Sequence, residues 1–239
     1  VLAFALTTSL SLTANGKPAG DSWNVIKQKS GIVVSEQKVE GRSFPIFRGV
    51  AVINASIFDI LAVVQDTPRN AEWMHNCMES RQLERLNDWD MVLYNRTDAP
   101  WPVDDRDAII KSKFEVFSET REIHVHVEST THQAQGLIDG VVRMPNLYGH
   151  YIFKVLGENV TKVDMKINAD PGGWIPKWVA SLVSRDIPYI TLVNLRKQVK
   201  KTRGAPEYKA FIKRAKVLGT KLGLNTGANE VAQAPVFSR

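Results

Sequence analysis

Asn95, Thr97, Ser112 and Tyr151 are the residues best placed to do chemistry on a small molecule. Each interrupts an otherwise apolar, alternating row: Asn95 and Thr97 follow Met91 and Leu93, Ser112 sits between Ile110 and Phe114, and Tyr151 precedes Phe153. A buried polar group left without a hydrogen bond costs roughly 1–3 kcal/mol. These four therefore bond either to their neighbours or to something bound between them, and the strands alone leave both readings open. A mostly apolar pocket with a few convergent polar groups is how ligand sites are commonly built.

Two other clusters carry reactive residue types. His124 and His126 share a strand face with Glu122 and Glu128, and two imidazoles at i, i+2 beside carboxylates are of the kind that binds zinc. That face lies opposite Ile123, Val125 and Val127, so it reads as a solvated exterior and no metal is expected. Asp104, Asp105 and Asp107 flank Arg106, which suits ion pairing and a turn better than acid–base work or a hard cation. Trp73 and Trp101 read as packing residues. The chain has no phosphate-binding glycine loop, dinucleotide fingerprint, nucleophile elbow or zinc-protease motif, so no cofactor is expected. Cys77 is the only cysteine, which rules out an internal disulfide.

Period-two patterning positions these groups. Ala108, Ile110, Ser112, Phe114 and Val116 share one face, with Lys111, Lys113 and Glu115 on the other. Ile123, Val125 and Val127 oppose Glu122, His124, His126 and Glu128; Tyr151, Phe153 and Val155 oppose His150 and Lys154; Val163, Met165 and Ile167 oppose Lys162, Asp164 and Lys166. Such alternation predicts strands with one covered face and one wet face. Further strands are expected at Ile32–Val39 and Phe44–Ile53, a short helix at Asp21–Lys29, a capped helix from Ser56 to Val64, and another short one from Thr67-Pro68 to Met74.

The cover for the inner face comes from Asp170–Lys201. Pro176 suits the first position of a helix after Gly172-Gly173, and Trp178, Val179, Leu182, Val183 and Ile187 form an apolar stripe. A helix of this length spans about 39 Å. Pro188 within it removes a backbone hydrogen bond and predicts a bend. Consecutive alternating strands and one long closing helix make an α+β layout.

Formal net charge is +6, yet Arg196–Lys221 holds ten Lys/Arg against Glu207 alone, so the basic character is C-terminal. Tyr208, Phe211, Ile212, Ala215, Leu218 and Leu222 fall on one helical face there. The pattern fits either a helix docked on the domain or one lying on an anionic membrane. No aromatic interleaving or known module supports a nucleic-acid partner. Val1–Leu12 is an uncharged apolar run that reads as part of a secretory signal, so residues 1–20 are expected to be a signal or an unstructured lead and the protein to be exported. The domain proper is expected over 21–201, with a basic amphipathic helix and flexible tail over 202–239.

Ala99–Ala108 (APWPVDDRDA) and Pro171–Pro188 (PGGWIPKWVASLVSRDIP), with Asp66, Trp73 and Gly140-Val141-Val142-Arg143, resemble the START domain, the lipid-transfer domain related to the steroidogenic acute regulatory protein. The resemblance covers roughly Ser22–Lys201. It implies a helix-grip fold, in which a curved antiparallel β-sheet wraps around the long C-terminal helix and encloses a tunnel for one lipid. It also implies that Thr130–Asp139 gates the tunnel together with the last helix. In sterol-binding relatives an acidic and a basic side chain lie in the tunnel. Here the basic position falls on Ser112 and the acidic one near Asn95 or Thr97, which leaves neutral hydrogen bonding to a hydroxyl or amide.

The expected ligand-contacting set is therefore Leu93, Asn95, Thr97, Ile110, Ser112 and Phe114 on two strands, Val125, Val127, Tyr151 and Phe153 on two more, and Val183 and Ile187 on the helix. The expected partners are a hydrophobic lipid of the sterol, sphingolipid or phospholipid class and, transiently, a membrane surface. The contrasting readings are a non-transferring lipid sensor and a cyclase-type enzyme on the same general fold. The enzyme would need an inward acid or base, and Asp186 is the one candidate.

Overall fold

The computed structural model describes residues 23–42 and 44–224, without the side chains at 177, 178 and 180–185. The export signal expected at Val1–Leu12 and nearly all of the tail expected from Gly223 lie outside the described residues. Ten strands form one sheet: β1 (Asn24–Lys29), β2 (Ile32–Gln37), β3 (Ile46–Ile53), β4 (Cys77–Arg85), β5 (Met91–Thr97), β6 (Asp105–Phe117), β7 (Glu122–Ser129), β8 (Val141–Arg143), β9 (Asn146–Gly157) and β10 (Val160–Asp170). Their order is β1-β2-β3-β10-β9-β7-β6-β5-β4, antiparallel throughout, except that short β8 pairs parallel to the start of β6. Three helices accompany it: α1 (Ile57–Gln65), α2 (Lys177–Thr202) and α3 (Lys209–Lys221).

Alternation builds the inner face as expected. Ile110, Val125, Phe153, Val163 and Met165 all enter one core together with Leu192, Leu195 and Val199 of α2. Ser56 caps α1 by accepting from the Asp59 amide at 3.1 Å, and Pro68 opens a 3-10 helix at Thr67–Glu72. Helix α2 begins one residue after Pro176 and continues through Pro188 without interruption. It crosses the sheet where β3 has no side chain. A Cβ at Gly49 would meet Leu192 Cδ1 at 2.8 Å and the Pro188 Cβ at 3.1 Å. Among the described residues no helix is long and apolar enough to cross a membrane.

Three expectations need correction. Within the helix expected at Asp21–Lys29, the described part Asn24–Lys29 is strand: Ser30 (φ 52°) and Gly31 (φ 69°) form a two-residue hairpin turn, which joins β1 to β2. Two positive-φ residues match the twist of paired strands, and this pairing outweighs local helical preference. Strand β4 gave no alternating signal because register shifts at Cys77/Glu79 and Gln82/Glu84 change its parity twice. Finally, the outer face is not wet throughout. Val92, Tyr94 and Ile109 form a second buried cluster beneath Ile138.

Helix α3 settles the choice between docking and lying on a membrane. Phe211, Ala215, Leu218 and Leu222 are buried in the main core, while Lys213, Arg214, Lys216 and Lys221 are exposed. Tyr208 donates its hydroxyl to Asp66 at 2.7 Å and anchors the start of this helix. Gly49→Val is expected to lower stability by about 1–3 kcal/mol, because the added side chain overpacks the α2 crossing. Urea unfolding measures this; an unchanged midpoint would show that α2 does not rest on that glycine.

Candidate functional site

Tyr151 defines the interior space. It projects from β9 toward α2, between Val125 on β7 and Met165 on β10. Burial alone pushes its phenol up to about 12, yet the side chain keeps some accessible surface. A deep group with remaining accessible surface borders space inside the fold. Its hydroxyl has no hydrogen-bond partner among the described residues. Next to it Gly149 supplies no side chain, and a Cβ there would come within 2.4 Å of Val127 Cγ2. The missing side chain lets Val127 of β7 pack close beside the phenol.

The other expected residues divide by their surroundings. Leu93, Ile110, Val125 and Val127 are buried on the inner face, and Phe153, 1% exposed, is packed solid in the core. Ser112 is 4% exposed and directly opposes Met91 and Val127; its hydroxyl also lacks a partner among the described residues. Thr97 is half-buried. Asn95 is committed on one side: Asn70 Nδ2 donates to Ser80 Oγ at 3.0 Å, which donates to Asn95 Oδ1 at 2.6 Å. Its amide donor end stays available. Phe114 lies toward α3, where it meets Trp89 (ring centroids 6.1 Å), which in turn packs edge-on against Phe211 at 5.8 Å. Ile187 is half-buried on α2, and the Val183 side chain lies outside the described residues.

Two polar groups on the inner side escaped the reading by strand parity, because they lie off the strands. The Trp73 indole N–H and Asn70 Oδ1 are buried without partners among the described residues. Asp186, by contrast, does not act as a lone interior acid. Lys27 Nζ holds its carboxylate at 3.0 Å and also lies 4.1 Å over the Tyr189 ring.

One end of the sheet is closed by the Arg106–Asp107 pair. Arg106 is 6% exposed. It donates to the Asp104 carbonyl, to Gly172 O at 3.1 Å, to Trp174 O at 3.3 Å and to Pro171 O at 3.4 Å. Burial holds its pKa below the usual arginine value, while four carbonyls satisfy the cation. Asp107, 1% exposed, receives a bidentate pair from Arg143 of β8 at 2.6 and 3.1 Å. Asp105 accepts from Arg96 and from the Ala99 amide and so fixes the loop before β6. Asp105 and Asp107 thus serve in ion pairs, and Asp104 contributes its backbone carbonyl.

Residues 130–139 lie against the outer face, with Arg81 bonded to Gln135, Arg143 Nη2 donating to Gly136 O at 3.0 Å, and Ile138 packed on the Tyr94 cluster. Arg106 joins Asp104, at the end of the loop 98–104, to residues 171–174 ahead of α2.

Known proteins share this arrangement. A family model described as the START domain matches residues 12–199. An uncharacterized protein of Pseudomonas aeruginosa is 30% identical over 187 residues, 78% of this chain and 91% of its own length. Phosphatidylcholine transfer protein of Bos taurus is 23% identical over 171 residues, 70% of this chain and 79% of the relative. The crystal structure of a STAR-related lipid transfer protein from Xanthomonas axonopodis superposes with TM-score 0.68 at 30% identity, over 75% of this chain and 99% of that one. Human StAR-related lipid transfer protein 5 has the same fold, with TM-score 0.68 at 17% identity, over 76% and 88%.

Removing one partner of a buried ion pair strands the other charge. Arg143→Met is therefore expected to cost about 3 kcal/mol by leaving Asp107 unpaired, measured by chemical denaturation. A loss below a few tenths would mean that Asp107 is not held by this pair.

Proposed function

This chain belongs to the START domain family, and we propose that it holds one lipid molecule between α2 and the inner sheet face and carries it between membranes without altering it. The observation that carries this reading is Tyr151: a deeply placed phenol that keeps some accessible surface, with a hydroxyl unpaired among the described residues, set among apolar neighbours. Burial of the lipid's apolar surface supplies most of the affinity, at about 25 cal/mol per Å² before the costs of ordering. Ser112, Thr97, the Asn95 amide and Tyr151 fix the orientation of its polar end, and the orphaned Trp73 N–H offers a further donor.

These groups are neutral, which favours a hydroxyl, amide or ester on the ligand. The relatives named as phosphatidylcholine transfer proteins support a phospholipid among the sterol, sphingolipid and phospholipid classes. The pairing of Asp186 with Lys27 weighs against a cyclase-type reaction, because that carboxylate is already engaged.

Membrane contact follows from the rim. Trp101 (88% exposed), Leu137 (80%) and Trp174 (70%) project at the end of the sheet where Arg106 and Arg143 gather the loops. Exposed tryptophans of this kind settle at the headgroup level of a bilayer. The loop 98–104 and the start of α2 would part there to admit the lipid, with Arg106 as the tie that must stretch or swing.

Ser112→Leu and, separately, Ile187→Trp are expected to cut lipid uptake at least tenfold while leaving the far-ultraviolet dichroism unchanged, as read by mass spectrometry of extracted lipid. Normal loading of both variants would refute the assignment of the inner space. Trp101→Ala with Trp174→Ala is expected to slow liposome-to-liposome transfer while preserving binding of lipid already loaded. A wild-type chain that binds lipid but transfers none would instead be a sensor.

A further inference from the structure

Three of the chain's five histidines meet on the outer face of the sheet, away from the lipid site. His124 and His126 lie two residues apart on β7, so both side chains project outward. His150 of β9 is the register partner of His126. Sequence spacing displays only the first two; antiparallel pairing supplies the third. One ring nitrogen from each falls within 4.8 Å of the others.

The details go beyond crowding of polar groups. His150 Nε2 stands 3.1 Å from His124 Nδ1. Two imidazole nitrogens on a tetrahedral zinc ion, with Zn–N near 2.05 Å, are about 3.3 Å apart. His126 lies stacked against His150, with ring centroids 4.3 Å apart and planes 15° from parallel. The far nitrogen of His124, Nε2, is taken by Glu122 Oε2 at 3.1 Å, and His126 Nε2 lies 3.5 Å from Glu115 Oε2. A carboxylate behind a ligating imidazole fixes its tautomer and raises its basicity. Those carboxylates are themselves held, Glu122 by Lys154 at 2.9 Å and Glu115 by Lys113 at 2.8 Å. Phe117, with its ring 4.3 Å from that of His124, shields one side of the half-buried cluster.

We propose that His124, His126 and His150 form a binding site for one divalent transition-metal ion of the zinc and copper class, with Glu122 and Glu115 orienting the ligands. His124 contributes Nδ1 and His150 contributes Nε2; His126 completes the set by a small ring rotation. Three nitrogen donors and no carboxylate in the inner set suit zinc, copper or nickel and reject calcium and magnesium, which require oxygen ligands. The fourth position faces solvent and takes water or an external ligand.

The test uses the full chain free of any affinity tag and stripped with chelator. Equilibrium dialysis against Zn2+ is expected to give one ion per chain. His126→Ala or His150→Ala should weaken binding at least tenfold, Glu122→Gln about tenfold or more, and His132→Ala, which removes a histidine paired elsewhere with Glu84, should change nothing. The absence of a stoichiometric ion, or binding indifferent to both histidine variants, overturns the site. A zinc absorption-edge spectrum of the loaded wild-type chain requires no variant: a shell of three imidazole nitrogens supports the proposal, and one dominated by oxygen or containing sulfur refutes it.

Discussion

A buried guanidinium that meets only carbonyls governs one end of this molecule. Arg106 donates to the backbone of its own loop and to the carbonyls of Pro171, Gly172 and Trp174 on the way into α2. Its neighbour Asp107 points the opposite way along β6 and secures β8 through Arg143. Alternation along a strand sends adjacent side chains to opposite faces. Two consecutive residues thus bind the inner helix and the outer loop to one strand. Their opposite charges do not neutralise each other: each is satisfied separately, one by dipoles and the other by a fork of two hydrogen bonds.

The rest of the architecture concerns how closely a helix can approach a sheet. Gly49 brings α2 onto β3 at Leu192 and Pro188, and Gly149 lets Val127 of β7 close in beside Tyr151. Between β6 and α3, Trp89 packs on Phe114 and Phe211, while Trp101 and Trp174 stay exposed.

Much of this was legible in the residues themselves. The alternating runs placed β5, β6, β7, β9 and β10 and the face each turns inward, and the stripe on α3 marked its buried side. What escaped notice depended on pairing. The helix expected at Asp21–Lys29 became a strand because Ser30-Gly31 could turn a hairpin, a choice made by β2 and not by local preference. Strand β4 hid behind its two bulges. Tyr94 and Ile109 looked like outward residues until the return of residues 130–139 covered them. The packing of residues 130–139 was hidden for the same reason: Gln135, Gly136 and Ile138 each have a partner on the outer face. Among the polar set, Asn95 could be named from parity, but its bonding to Ser80 and Asn70 required the bulged edge strand. The third histidine was invisible until β9 came into register with β7.

An open sheet of this kind has two ends where backbone donors and acceptors run out of neighbours. Strand β1 is six residues long, bulged between Val25 and Lys27, and carries Lys27 and Lys29. Strand β4 is bulged twice and carries Glu79, Arg81, Glu84 and Arg85. Charge and irregular spacing deny an incoming strand a straight template. The proposed parting of loops at a bilayer would thus uncover the apolar interior without offering copies of the chain a straight edge to pair with.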